Sequence, residues 1–362
     1  MKEEVQEIIE IDGSQGEGGG QLLRTGVALS ALVNKPVKIY NIRAKRSEPG
    51  LKAQHATAIN ALAKITQAQV TGIKIGSDTI TFTPNRPRGG EFKFDIGTAG
   101  SISLVLQTIM PCAAFAQSQT KLEIRGGTDV AWSPPIDYIS NVTLPILEKM
   151  GYRSEIVTVR RGHYPRGGGL VKATLTPVKK LLPLNLMERG EILRIRGISH
   201  AVKLPQHVSQ RQADSAEKKL KKAGFENVEI KLEWYEKEKD PHLGSGSGIV
   251  LWAETSSGSV IGADVLGEKG KPAEKVGEEA ADKLLREINR NAPIDSHMGD
   301  MLIPYLAVAE GVSQIKVSEL TLHLLSNIWV TEKILNVKFS VTGREGESGT
   351  ISVKGINLQN PV

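Results

Sequence analysis

Two stretches decide the fold: GSQGEGGGQLLRTGVALSALV, Gly13 to Val33, and GTAGSISLVLQTIMPCA, Gly97 to Ala113. Each is a glycine-bearing turn that runs directly into residues at helical spacing, Leu22, Gly26, Leu29 and Val33 in the first, Leu104, Thr108 and Cys112 in the second. Outward from each turn the same order of segments recurs. A strand ends at Asp12 before the first turn; its helix is followed by the strand VKIYNI from Val37, a helix from Leu51 to Ile65, and paired strands ending in TFTP at Pro84. The second unit starts at Asp95 and continues with KLEIR from Lys121, a helix from Pro135 to Met150, and paired strands ending in TLTP at Pro177. Gly13 and Gly97 stand 84 positions apart, and each precedes its next strand by 24, which marks an internal structural repeat.

A third unit opens with the strand LLPLNL at Leu181, but its first helix follows only after Ser296, from Met301. Then come IKVSEL from Ile315, a helix from His323, and the strands VKFSV and TISVK. Residues 187–290 carry a pattern of their own: the strand ILRIRGI, a polar helix through Gln210 to Lys222, strands VEIKLEW and GIVLWAE, another near Val260, and a helix Ala273 to Ile288. The expectation is an α/β fold. A large domain, 1–186 and 291–362, contains three β-α-β-α-β-β units, and a smaller α/β domain, 187–290, is inserted in the third. Equivalent turns would converge on one side, presenting several helix N-termini to one anion.

Composition narrows the class. The chain has 362 residues, 40% apolar and 24% charged, as in a folded globular protein, and its formal net charge of +6 favours a polyanionic partner without requiring one. The single cysteine, Cys112, excludes an intramolecular disulfide and a multi-cysteine metal centre, and its apolar setting MPCAAF predicts a buried side chain. An acidic N-terminal stretch, MKEEVQEIIEID, and the lack of a long apolar run predict a cytoplasmic protein that does not span a membrane.

Several residues can carry chemistry. GSQGEGGGQLLR sets Glu17 in the glycine turn and Arg24 one turn into the helix, so a carboxylate and a cation can share a phosphate-binding mouth; a tight turn with a solvated glutamate is the other reading. The stretch lacks the GK[ST] ending of a Walker loop and the third glycine of a dinucleotide fingerprint. IRAKRSEPG places Arg43, Lys45 and Arg46 after a strand, where two guanidinium forks can meet a phosphate or simply be solvated. Gln54 and Gln107 are polar positions in apolar helices, and His55 reads as structural. His323, a histidine among leucines, reads as a hydrogen-bonded interior residue or, because it stands at a strand-to-helix junction matching Pro49-Gly50-Leu51 and Pro134-Pro135 in the other units, as a functional imidazole at the mouth of the glycine turns. In PIDSHMGDML, Asp300 reads as favouring its helix N-terminus. Lys218, Lys219, Lys221 and Lys222 read as a solvated face, and Gly167 to Gly169 as hairpin geometry.

Taken together, RGHYPRGGGL from Arg161, GSQGEGGGQLLR from Gly13, GTAGS from Gly97, GGTD from Gly126 and HLLSN from His323 resemble, in the same order, segments of the RNA 3'-terminal phosphate cyclase family. The resemblance implies units like the C-terminal domain of a translation initiation factor and an insert of thioredoxin-like strand order. It makes His323 the nucleophile that accepts AMP from ATP, Glu17 the ligand of Mg2+ or Mn2+, and Arg43 and Arg46 binders of an RNA 3'-terminal phosphate, with Arg24 and Gln54 also on the substrate side. It places Gln107, Pro134, His297, Asp300 and Met301 around the nucleotide, His297 standing where an aromatic usually stacks and Met301 where some relatives carry glutamine. The implied activity is ATP-dependent conversion of an RNA 3'-phosphate to a 2',3'-cyclic phosphate. Its competitors are a non-catalytic cyclase-like protein of ribosome assembly and an enolpyruvyl transferase.

Overall fold

The structure, a computed structural model, describes residues 7–361, so the MKEEVQ opening of the acidic N-terminal stretch lies outside the described residues. β1 (Ile9–Asp12) leads through the glycine turn into α1 (Gly20–Val33), which stops at Asn34 in the left-handed region, φ 53°, with its N–H on Ser30 O. β2 (Val37–Tyr40) and α2 (Ala53–Thr66) follow, α2 ending the same way at Gln67, φ 49°, before β3 (Gln69–Thr71) and β4 (Ile80–Thr83). The next unit runs β5 (Gly90–Asp95), α3 (Ile102–Ala113), β6 (Thr120–Gly126), then a helix in three pieces: α4 (Ile136–Tyr138), a π turn (Ile139–Thr143) and α5 (Leu144–Lys149). Pro145 has no N–H for the i−4 carbonyl, and Leu144 N reaches back five residues to Ile139 O, which widens the coil. β7 (Ser154–Arg160) and β8 (Gly169–Leu175) close the unit.

β9 is only Asn185–Leu186, shorter than the LLPLNL strand expected, because Pro183 cannot donate to a ladder. Then come β10 (Ile192–Val202), α6 (Gln206–Lys222), β11 (Val228–Trp234), β12 (Gly246–Thr255), β13 (Val260–Leu266) and α7 (Ala273–Asn289). The chain returns with α8 (Ser296–Val308), β14 (Val312–Val317), α9 (Leu322–Leu335), β15 (Phe339–Thr342) and β16 (Gly349–Lys354). α8 starts five residues before the expected Met301. Its cap is Asp295, which accepts from His297 N and Met298 N, so Asp300 lies inside the helix rather than favouring its start.

Three four-stranded sheets share one pattern: β1-β2-β4-β3, β5-β6-β8-β7 and β9-β14-β16-β15, each with its first pair parallel and the others antiparallel. A fourth sheet has the order β11-β10-β12-β13, only β10 and β11 being parallel. Strand residues alternate accordingly. In β6, Leu122 and Ile124 face the helices while Lys121 and Arg125 face water. α1 packs on α3 and α9, α2 on α3, and α8 on α9, gathering Val27, Leu29, Ile59, Leu62, Val105, Ile109, Leu302 and Val330 into one core. The fourth sheet buries both faces: α6 and α7 cover Ile195, Leu251 and Ile261, while Val250, Trp252 and Val260 join the main core.

The helix N-termini meet pairwise around that core. Gln54 Oε1 at the start of α2 accepts from Ser101 N, the cap of α3, at 3.2 Å; the Tyr138 hydroxyl of α4 donates to Asp295 Oδ1, the cap of α8, at 2.6 Å; and His323 Nδ1 of α9 contacts Gln21 Oε1 of α1. Each contact joins the second helix of one unit to the first helix of the next. Tyr138 is fully buried, whereas the His323 side chain is 47% exposed, so the third junction is open to solvent.

Candidate active site

The glycine turn is shaped by what lies against it. Gly16 and Gly18 take φ of +54° and +63°, and a Cβ at Gly16 would stand 2.1 Å from Ser326 Oγ. Glu17 N reaches the same hydroxyl at 3.4 Å, and Lys45 Nζ donates to Gly16 O at 3.0 Å. Ser326 and Lys45 thereby hold the Glu17 carboxylate at the open junction. One oxygen, Oε1, pairs with Arg46; the other, Oε2, is buried and lies 2.6 Å from His323 Nδ1. Carboxylate oxygens suit a hard cation, so Glu17 is the residue here that can hold a divalent ion.

His323 enters α9 one residue after the first helical position, with the Thr321 hydroxyl capping through Leu324 N at 3.0 Å. Nδ1 faces two acceptors, Gln21 Oε1 and Glu17 Oε2, which assigns the ring proton to Nδ1 and the lone pair to Nε2. Burial holds the imidazole below its ordinary pKa; Glu17 opposes this, while Arg24, Arg46 and His297 reinforce it. The ring is therefore neutral at neutral pH, with an unencumbered nitrogen.

Arg24 follows on α1, half-buried and without a hydrogen-bond partner among the described residues; burial pushes its guanidinium down to about 10, with Glu17 acting the other way. Arg46 sits on Glu17. Arg43 stands apart from that pair: at φ 56° it donates through Nη1 to Glu48 O at 2.5 Å and Gly50 O at 3.0 Å, so this nitrogen fixes its own loop, and burial, then Arg46, lower its pKa. His55 is buried and neutral, pushed down to about 3 by burial and then by Arg24, and it accepts from Lys52 N at the start of α2.

Gln107 Nε2 meets Met301 Sδ at 3.0 Å, so α3 and α8 bring these two residues together. Asp300 Oδ1 accepts from Thr321 Oγ1 at 2.7 Å, and its backbone oxygen from Asn327 Nδ2 at 2.9 Å, tying α8 to the first turns of α9. Burial pushes the Asp300 carboxyl up to about 7 against the Thr321 bond and His297; Asp295 and Glu17 push it further. His297 is exposed, its ring edge-on to Tyr138 with centroids 6.3 Å apart. Pro134 is half-buried in the loop entering α4, and Gln54 serves the neighbouring junction at Ser101.

Sequence reasoning missed Gln21, Ser326 and Asn327, although all three lie inside the glycine turn and HLLSN stretches. Their signal was their place on the faces of α1 and α9 that carry Arg24 and His323. It also missed a buried cluster around Arg161, described below.

The model of one protein family, described as RNA 3'-terminal phosphate cyclase, matches residues 15–341. Curated relatives bear the same name: that of Methanopyrus kandleri is 52% identical over 96% of this chain and 99% of its own, that of Ignicoccus hospitalis 52% over 97% and 100%, and that of Caldivirga maquilingensis 54% over 91% and 93%. A solved structure of the enolpyruvyl transferase NikO from Streptomyces tendae aligns over 96% of this chain and 48% of its own at 10% identity and a TM-score of 0.36, too loosely to bear on fold or chemistry. Identity above one half, sustained from end to end of these relatives, is what common descent of a whole chain produces, and the chain belongs to the RNA 3'-terminal phosphate cyclase family.

Proposed function

We propose that this chain converts an RNA 3'-terminal phosphate to a 2',3'-cyclic phosphate with ATP as co-substrate. The observation that carries the reading is His323 Nε2, the free nitrogen of a neutral ring at a solvent-open junction, beside Glu17. Nε2 attacks the α-phosphorus of ATP; a P–N bond forms, the α–β P–O bond breaks, and pyrophosphate leaves. Nδ1–H stays on Gln21 and Glu17, so the imidazolium that develops is stabilised in place. A divalent ion held by Glu17 would offset the charge of the triphosphate.

Next the RNA 3'-phosphate attacks the histidyl-AMP phosphorus, restoring neutral His323 and giving RNA-(3')pp(5')A. The adjacent 2'-hydroxyl then attacks the 3'-phosphorus and gives its proton to solvent, while the P–O bond joining that phosphorus to AMP breaks and AMP leaves. Both reacting groups belong to one ribose, which accounts for much of the rate of that step. Arg24, which makes no hydrogen bond among the described residues, and Arg46, which would be freed if Glu17 held a cation, supply guanidinium groups to the phosphates; Arg43 shapes their loop. Gln107, Met301, Asp300, His297 and Pro134 border the nucleotide, Gln54 lies on the RNA side, and residues 187–290 form the inserted domain.

The test is incubation with α-labelled ATP followed by denaturing electrophoresis. The wild-type chain should retain label and His323→Ala should not; label persisting on that variant overturns the assignment. A non-catalytic relative or an enolpyruvyl transferase would take no covalent label at all.

A further inference from the structure

The stretch RGHYPRGGGL contributes nothing to that mouth, yet it holds the most densely charged buried cluster among the described residues. Arg161, 2% exposed, bonds both oxygens of Asp129 at 3.2 Å, Asp137 Oδ2 at 2.6 Å, and Glu233 at 2.9 and 2.7 Å. Two residues further, His163 Nε2 faces His200 Nε2 at 3.0 Å, and His200 Nε2 stands 3.8 Å from Asp129 Oδ1. All three residues are buried, and their ligand atoms lie within 4.8 Å of one another.

We propose that Asp129, His163 and His200 bind a divalent transition-metal ion, of which zinc is the type. Two imidazole nitrogens and one carboxylate oxygen, with no thiolate and no ring of oxygens, suit Zn2+ rather than Mg2+ or Ca2+. Arg161 holds the Asp129 carboxylate in orientation, as groups behind a metal ligand commonly do.

Charge and space support the site independently. One guanidinium faces three carboxylates, so the cluster has more acidic than basic groups and suits an added cation. The space is made by glycine: a Cβ at Gly246 would stand 2.1 Å from the His163 ring and one at Gly248 2.9 Å from His200 Cε1, so β12 admits two imidazoles only because these positions are bare. Since Asp129 follows β6, His163 lies between β7 and β8, and His200 is on β10, the ion would bind two sheets to each other.

The full-length protein should carry about one equivalent of zinc by elemental analysis. After chelation, Zn2+ alone in large excess should raise the melting temperature by about 5 °C or more, and Co2+ alone should give the visible absorption of nitrogen and oxygen ligation. His163→Gln and His200→Gln should lose both responses, while Glu17→Gln keeps them, which separates this site from the mouth. A chelated wild-type chain that neither shifts with Zn2+ nor absorbs with Co2+ overturns the proposal, as do responses that survive in both histidine variants. Should those variants fail to fold, the wild-type Co2+ spectrum decides alone.

Discussion

Glu17 Oε2 lies 2.6 Å from His323 Nδ1, on the side of the ring opposite the nitrogen that is free to react. The carboxylate raises the proton affinity of the ring while burial, Arg24, Arg46 and His297 lower it, burial winning. Protonation removes the nucleophile, so activity is lost as pH falls through the pKa of His323. Adenylylation should therefore keep more than half its plateau rate at pH 6.5, the usual midpoint of a free imidazole. Glu17→Gln removes the one raising influence, and the His323 ring protons should titrate at still lower pH in NMR; a midpoint that moves upward contradicts the geometry.

Arg24 makes no hydrogen bond among the described residues, and Glu17 acts on it only through its charge. Arg24→Met should leave the melting temperature unchanged or higher, because no bond is lost, while label transfer falls roughly 100-fold, the scale of losing one donor to a developing oxyanion. Parallel loss of stability and activity would make Arg24 a structural residue.

For Asp300, the folded pKa of about 7 lies above its unfolded value of about 4, so the acid form carries the stability. That contribution is complete below pH 4 and lost as pH rises through 7. Asp300→Asn should match the wild type near pH 4 and exceed it above pH 7, by about 2 kcal/mol once solvent access to the half-buried side chain is allowed for. Urea melts at the two pH values measure the difference, and equal differences would refute it.

Gly20 admits no side chain: a Cβ would stand 2.2 Å from His55 Nε2. Gly20→Ala should cost about 1–3 kcal/mol, and the cost should shrink when made together with His55→Ala, a coupling read from a double-mutant cycle.

Arg161→Met would strand Asp129, Asp137 and Glu233 without their counter-ion. A loss of about 3–5 kcal/mol in thermal unfolding is expected, and a change below about 1 kcal/mol would show that the carboxylates protonate without penalty.

The repeat was legible because periodicity is a local property: glycine turns and the helices Leu22 to Val33 and Leu104 to Cys112 reappear as α1 and α3. His323 and Glu17 were legible as members of motifs, and the structure brings them into contact. What could not be read was pairing across long separations. Gln21 meets His323 over 302 positions and Gln107 meets Met301 over 194, and nothing in either neighbourhood names its partner. Asp300 was misjudged as favouring a helix start because the capping residue, Asp295, sits in the same short polar run. The role of Arg161 was hidden for the opposite reason. The glycines beside it account for the stretch as a hairpin, and the carboxylates that its charge meets stand 32, 24 and 72 positions away.

Cys112 is completely enclosed within α3, and burial pushes its thiol far up, out of reach of ordinary alkylating reagents. Every cysteine engineered onto the outside would thus be the sole attachment point for a dye or spin label, with no need to remove a native one. Labels at Trp132 and Tyr164, whose rings already stand in solvent, could report distances across the molecule while nucleotide is added.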